Sequence, residues 1–142
     1  MTMKQYQFAY SDETQLQKDI TKVRHLIKNC DESKVLFKVY SDILLTDSLD
    51  IVLMELEAAF PQALIAGCTT NGNIMNGLKT DRSVFVTCIA FEKPTTMIDV
   101  VTCRFEDKTA DEIRSYVAEV KAAHPWVKAV ELMVTMQALS LD

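Results

Sequence analysis

Glycine, proline, histidine and tryptophan are scarce in this chain of 142 residues. It contains three glycines, three prolines, two histidines and one tryptophan. Its longest uncharged stretch, residues 58–78, is interrupted by proline, glycine and asparagine, which excludes a membrane span there. The first ten residues lack the apolar segment of a secretory signal peptide. With 49% hydrophobic and 25% charged residues, the composition is typical of one globular domain.

The chain also lacks an excess of positive charge. Fifteen basic residues stand against 20 acidic ones, which gives a net charge of −5. Proteins that bind nucleic acid or anionic lipid without sequence specificity need a basic surface. We therefore expect neither nucleic acid nor a membrane surface as a partner.

The four cysteines contain no C-x-x-C pair, and no cysteine or histidine pair has the spacing of metal ligands. Three of them lie in apolar runs, which favours buried free thiols and a cytoplasmic location. The sequence predicts no bound metal and no cofactor. The four positions are Cys30, Cys68, Cys88 and Cys103.

Hydrophobic periodicity predicts nine elements in the order β-α-β-α-β-β-β-α-β. Residues 63–67 form a short apolar run, typical of a strand buried on both faces. Residues 83–91 predict a central strand, which we expect to form an antiparallel hairpin with residues 97–105. This order predicts an α/β fold with a mixed β-sheet covered by helices. The other predicted strands cover residues 4–9, 35–40 and 127–134.

Two of the three predicted helices begin with a capping box. Asp12 and Thr109 each precede a glutamine or glutamate by three residues and open an apolar repeat of helical spacing. The second helix is predicted over residues 48–59, with Asp47 or Ser48 as its cap. The chain ends soon after its last predicted strand. We therefore expect residues 1–142 to form a single domain that is truncated at its C-terminal end.

All three glycines and three of the four asparagines lie within residues 67–77. Loops of this composition are often simple turns. This one follows a predicted buried strand and carries no charge before Lys79, which favours a partly enclosed loop. Open α/β sheets place their ligands in loops at such strand ends. Residues 68–77 are therefore the predicted ligand site.

The same segment resembles a known family. Gly67-Cys68, Thr69-Thr70, Gly72 and Ile74 are similar to the G-C-[ST]-[ST]-x-G-[EQ]-I pattern of the FIST N-terminal domain. The resemblance implies a bacterial sensory input domain that binds a small molecule such as an amino acid and is not itself an enzyme. It implies a C-terminal output module in the same chain, such as a GGDEF-type diguanylate cyclase, a histidine kinase or a chemotaxis transducer. The predicted ligand-binding residues are Gly67, Cys68, Thr69, Thr70, Asn71, Gly72 and Asn73.

Two positions depart from the family pattern. Asn73 stands where the family often has an acidic residue, and Asn71 replaces a small apolar residue. An asparagine offers a neutral donor and acceptor in place of a carboxylate. The identity of the ligand therefore does not follow from the resemblance.

Two other functions remain open from the sequence. Cys68 could act as a nucleophile in an enzyme, but the only histidines that could serve as its base are His25 and His124. Seven methionines could instead mark an adaptable surface of a protein-interaction module. A truncated chain that exposes its last strand could also form a homodimer through that edge as an artefact of the truncation.

Overall fold

The computed structural model describes residues 3–42, 44–70, 73–75, 78–80, 83–104 and 108–133. The chain divides into two compact units, Met1–Val100 and Val101–Asp142. The first unit holds all six strands that the described residues form, together with two α-helices. In chain order its elements are β1 (Met3–Ala9), α1 (Glu13–Ile27), a 3-10 helix (Glu32–Lys34), β2 (Val35–Ser41), α2 (Thr46–Ala59), β3 (Leu64–Thr69), β4 (Asn73–Met75), β5 (Leu78–Thr80) and β6 (Val84–Phe91).

Four of these strands form one mixed sheet in the order β1-β6-β2-β3. β6 runs antiparallel to both of its neighbours, β1 and β2, whereas β2 and β3 are parallel. β4 and β5 form a separate antiparallel pair. Together with the third helix described below, this confirms the predicted α/β class with its mixed sheet.

α1 and α2 pack on the same face of the four-stranded sheet. Alternate residues of β2 are buried, as the period of a strand requires, and the apolar ones, Val35, Phe37 and Val39, belong to one hydrophobic cluster with both helices. The apolar positions of α1 recur every three or four residues and form the buried stripe of that helix. Members of the cluster include Leu16, Ile20, Val23, Val35, Phe37, Val39, Val52, Leu56, Val86 and Cys88.

The predicted start of α1 is confirmed, and that of α2 is wrong. The Asp12 carboxylate accepts a hydrogen bond of 2.8 Å from the Gln15 amide, although the Gln15 side chain bonds to Asp19 instead of closing the box. α2 begins at Thr46, and the cap position is held by Leu45, which makes no side-chain capping bond. Asp47 therefore lies inside the first turn, where its negative charge is favoured by the helix dipole.

The second unit contains α3 (Ala110–Ala123), whose capping box is confirmed on both sides. The Thr109 hydroxyl accepts from the Glu112 amide at 3.3 Å, and the Glu112 carboxylate accepts from the Thr109 amide at 2.7 Å. The Thr109 hydroxyl also donates to the Glu112 carboxylate at 2.8 Å, and the bonds from the Thr109 amide and hydroxyl lower the pKa of Glu112. His124 ends the helix, as predicted.

Two predicted strands are wrong over the residues that the structure describes. Neither residues 97–104 nor residues 127–133 are in a strand. The hairpin partner predicted for β6 has no place in the sheet, because β1 and β2 already occupy both edges of β6. In the second stretch Val130 and Leu132 are more than 70% exposed. A sequence that alternates apolar and polar residues forms a strand only where a neighbouring strand pairs with it and its apolar face is covered.

The prediction for residues 63–81 is also corrected. The strand of residues 63–67 is β3, which continues to Thr69 and lies at the edge of the sheet with half-buried and exposed side chains. The loop predicted over residues 68–77 is not continuous, because it contains the end of β3 and the strand β4, which pairs with β5. A short uncharged strand at a sheet edge has the same composition as a fully buried one, so its sequence does not distinguish them.

Candidate functional site

The carboxyl ends of β2 and β3 lie side by side at one end of the sheet. Ser41 is paired with Thr69 in the parallel register, and the Thr70 amide donates a hydrogen bond of 2.8 Å to the Ser41 carbonyl. Ser41 itself is buried, and its hydroxyl donates to the Asp42 carbonyl at 2.9 Å. This is the end of an open α/β sheet at which ligands bind.

Gly67 has a structural reason to be glycine. It is paired with Val39 of β2, and a Cβ atom at this position would lie 2.0 Å from the Val39 carbonyl oxygen. No real side chain tolerates that distance, so the two backbones approach closely only because position 67 has no side chain. This contact explains the glycine without a ligand. A role for Gly67 in ligand binding stays a prediction.

The predicted site residues are partly brought together. Cys68 and Thr69 are the last two residues of β3, and Thr70 follows them. Cys68 and Thr70 are half-buried, whereas Thr69 is exposed. The backbone of Asn73 lies at the first position of β4. Asn71 and Gly72 lie outside the described residues.

The pairing of β2 with β3 adds a carboxylate that the sequence analysis did not include in the site. Asp42 directly follows Ser41, and its Oδ1 accepts a hydrogen bond of 2.9 Å from the Leu44 amide. The half-buried Asp42 thus lies beside the end of β3, next to Thr70. No local signal in the sequence marks Asp42 as part of this site, because Ser41 and Thr69 end two separate strands that meet only through their pairing.

α2 begins four residues after Asp42, at the same end of the sheet. Because the Leu45 side chain has no acceptor, the amides of the first turn of α2 receive no side-chain cap. A helix N-terminus of this kind carries a partial positive charge and attracts carboxylates. Asp42, the pair Thr69-Thr70 and the start of α2 thus all lie at this one end of the sheet.

Cys68 has no histidine beside it in the first unit. The only histidine there is His25, which is exposed in the last turn of α1. α1 starts after the carboxyl end of β1 and runs back along the sheet, so its last turn lies at the opposite end from Cys68. In the second unit the ring of His124 lies 2.8 Å from the Val120 carbonyl of its own helix.

The described residues contain no group of three or more histidine, cysteine or acidic side chains that could hold a metal ion. Across the same part of the chain, no buried side-chain nitrogen or oxygen lacks a hydrogen-bond partner. None of the described helices has the length and apolarity that crossing a membrane requires.

A comparison with models of known protein families finds a match that covers the residues of this site. The FIST N domain family matches residues 39–140, which is more than half of the chain. The chain belongs to the FIST N domain family. FIST N domains are generally sensory domains of signalling proteins. The match covers the ends of β2 and β3 and leaves β1 and α1 outside it. Neither a search of curated proteins nor a search of solved structures found a match.

Proposed function

We propose that this FIST N domain binds a free amino acid at the carboxyl ends of β2 and β3 and passes the occupancy of that site to a signalling output domain in the same chain. The observation that carries the proposal is the placement of Asp42 beside Thr70 by the hydrogen bond between Thr70 and Ser41. Family membership supports a sensory role for such a site.

The groups at this end of the sheet match the two charges of an amino acid. The Asp42 carboxylate would accept the ammonium group, and the first amides of α2 would receive the carboxylate. The hydroxyls of Thr69 and Thr70 would orient the remainder of the ligand. In this arrangement Asp42 supplies the negative charge that Asn73 lacks relative to the family pattern.

A non-catalytic role and a cytoplasmic location belong to the same proposal. All four cysteines are free, which fits a reducing compartment. Cys68 has no histidine beside it among the described residues of the first unit, whereas a thiol nucleophile is normally activated by a base. A ligand that binds one of two conformations of the domain more tightly would shift their populations and so signal to the output.

The test is a thermal-shift panel of the free amino acids, each compared with its deaminated acid and its N-acetyl derivative. At about 100 times its dissociation constant, a ligand stabilises the folded chain by about 2.7 kcal/mol, which raises Tm by several degrees. We expect an amino acid to produce this shift and both of its derivatives, which lack the ammonium group, to lose it.

Asp42→Asn is the diagnostic variant, because an asparagine keeps the acceptor for the Leu44 amide and loses only the charge. Its matched control is Asp50→Asn, which removes an exposed carboxylate from α2. The proposal requires Asp42→Asn to weaken amino-acid binding while Asp50→Asn does not. A panel without any shift, or equal effects of the two variants, would contradict it.

A further inference from the structure

A row of four side chains crosses the sheet next to the proposed amino-acid site. Tyr40 of β2 is paired with Cys68 of β3 on one side and with Phe85 of β6 on the other, and Phe85 is paired with Ala9 of β1. Residues that lie directly opposite each other project from the same face of a sheet, so these four side chains stand side by side. The row lies one residue before the last pair of β2 with β3.

This row lies on the face of the sheet that points away from α1 and α2. Val39 and Ile65 pack in or against the hydrophobic cluster that contains residues of both helices. Because successive side chains of a strand point to opposite faces, Tyr40 and Cys68 project from the other face. Both are half-buried, so part of each side chain is accessible to a small molecule, whereas Phe85 is only 6% exposed. Tyr40 and Cys68 therefore supply the contact surface.

The carboxylate of the proposed site lies on this same face. The pairing of β2 with β6 extends one residue past the strand, because the Asp42 amide donates a hydrogen bond of 3.4 Å to the Ser83 carbonyl. Thr70 extends the pairing of β3 with β2 in the same way. Asp42 and Thr70 thus follow Tyr40 and Cys68 by two residues, which is one period of a strand. That period spans about 7 Å, a distance within reach of the side chain of an amino acid.

The surface beside Tyr40 has a step that fits an apolar side chain. β3 ends the strand order, and its residues Ala66 and Cys68 on this face are smaller than the Tyr40 side chain of β2. A small residue beside a large one leaves room for the side chain of a ligand against the tyrosine ring. The ring and the thiol offer van der Waals contacts to methyl and methylene groups, but they offer no opposite charge to a charged side chain.

We propose that the amino acid bound beside Asp42 is one with an apolar side chain of about the size of leucine, and that this side chain lies against Tyr40 and Cys68. The inference rests on the proposed amino-acid site, because Asp42 holds the ammonium group of the ligand there. Lys38 projects from the same face, one row farther from Asp42 than Tyr40 is. The acidic side chain of glutamate is the alternative that this lysine would favour, and the experiment separates the two.

The experiment is isothermal titration calorimetry of the 142-residue chain with glycine, L-alanine, L-leucine and L-glutamate, which differ only in their side chains. We expect the dissociation constant to fall from glycine to alanine to leucine, and leucine to bind about tenfold more tightly than glycine. This factor corresponds to the removal of roughly half of a leucine side chain from water. Glutamate should bind no more tightly than glycine.

The diagnostic variant is Cys68→Phe, and its matched control is Leu64→Phe. Both positions are half-buried on the same strand and the same face, but Leu64 lies two rows farther from Asp42. A phenylalanine ring at position 68 would fill the space beside Tyr40, so the ratio of the glycine to the leucine dissociation constant should fall from about ten to about one. Leu64→Phe should keep the ratio. Cys68→Ser, which keeps the size and adds polarity, should lower it to roughly three. Cooperative thermal unfolding checks that each variant is folded.

Three results would overturn this inference: equal affinities for glycine and leucine, tighter binding of glutamate than of leucine, or equal ratios in Cys68→Phe and Leu64→Phe. The amino-acid site itself would survive each of them as long as Asp42→Asn still weakens binding. Tighter binding of glutamate would assign the side chain of the ligand to Lys38 instead. If none of the four amino acids binds, the proposed function fails and this inference fails with it, so the two failures are distinguishable.

Discussion

The hydroxyl of Tyr6 donates a hydrogen bond of 2.7 Å to Oδ1 of Asp19 and thereby links β1 to α1. Asp19 is only 3% exposed, and its carboxylate also accepts from Gln15 at 2.9 Å and from Lys22 at 3.0 Å. Burial alone raises the pKa of Asp19. The three hydrogen bonds and the charge of Lys22 outweigh burial and lower the pKa below its ordinary value of 3.8. A buried charge is tolerated here because three side chains donate hydrogen bonds to it.

The contact between Tyr6 and Asp19 predicts a measurable coupling. Tyr6→Phe removes the hydroxyl and leaves the ring, so we expect it to reduce the free energy of unfolding by about 2 kcal/mol, the size of a hydrogen bond to a charged group. In a double-mutant cycle with Asp19→Ala, which removes the acceptor of this hydrogen bond, the coupling should be about 1.5 kcal/mol. Urea unfolding of the four proteins measures it. Additive effects of the two substitutions would contradict this prediction.

The lowered pKa of Asp19 predicts how stability depends on acid. Because the folded pKa lies below the unfolded value of about 3.9, the contribution of this carboxylate is present above the unfolded pKa. It is lost as the pH falls through the folded pKa. The Tm of the native chain should therefore fall more steeply between about pH 5 and pH 2 than the Tm of Asp19→Asn. Asp50→Asn, at an exposed position, should keep the native slope.

The approach of Gly67 to Val39 predicts a large effect of one methyl group. Gly67→Ala would place Cβ against the Val39 carbonyl oxygen, so β3 must move away from β2. We expect a loss of about 2 kcal/mol in the free energy of unfolding, the usual cost of overpacking. Ala66→Gly, one residue earlier in the strand, should cost about 0.5–1 kcal/mol. Amide exchange across β2 and β3 localises the change, and an equal or smaller loss for Gly67→Ala would contradict it.

Local signals in the sequence predict the helices better than the sheet. Asp12 and Thr109 bond to amides within their own first turns, so their capping requires nothing from distant residues. The apolar run of β6 predicts its central place in the sheet, because a strand that is buried on both faces is apolar at nearly every position. The strand order β1-β6-β2-β3 depends on pairings between distant segments. For that reason the hairpin predicted between residues 83–91 and 97–105 is wrong.

The candidate site was likewise only partly predictable from local signals in the sequence. The composition of residues 67–77 points to the end of β3, because glycine and asparagine are concentrated there. Asp42 joins the site only through the parallel pairing of β2 with β3, which brings residues 41 and 69 together. Neither residue carries a local sign of this contact. Sequence therefore predicts one side of the site, and the pairing of strands supplies the other.

The burial of Cys88 predicts an order of alkylation among the four cysteines. Cys88 is fully buried, and burial, with a smaller effect of Cys30, raises the pKa of its thiol to about 12. At about pH 8 roughly one Cys88 in ten thousand is a thiolate, so iodoacetamide should modify it only when the chain unfolds. The half-buried Cys30, Cys68 and Cys103 should react in the native state. Mass spectrometry of peptides taken during the reaction gives each rate.

The same experiment tests whether Cys68 is a nucleophile. Without an activating base, Cys68 should react at a rate within about tenfold of the rate of Cys103, which serves as an internal reference of similar exposure. In urea-denatured protein, iodoacetamide should modify all four cysteines at similar rates. This measurement controls for differences between the peptides. A native rate for Cys68 that exceeds the rate for Cys103 by about a hundredfold would contradict the non-catalytic role, because only an activated thiolate reacts so fast.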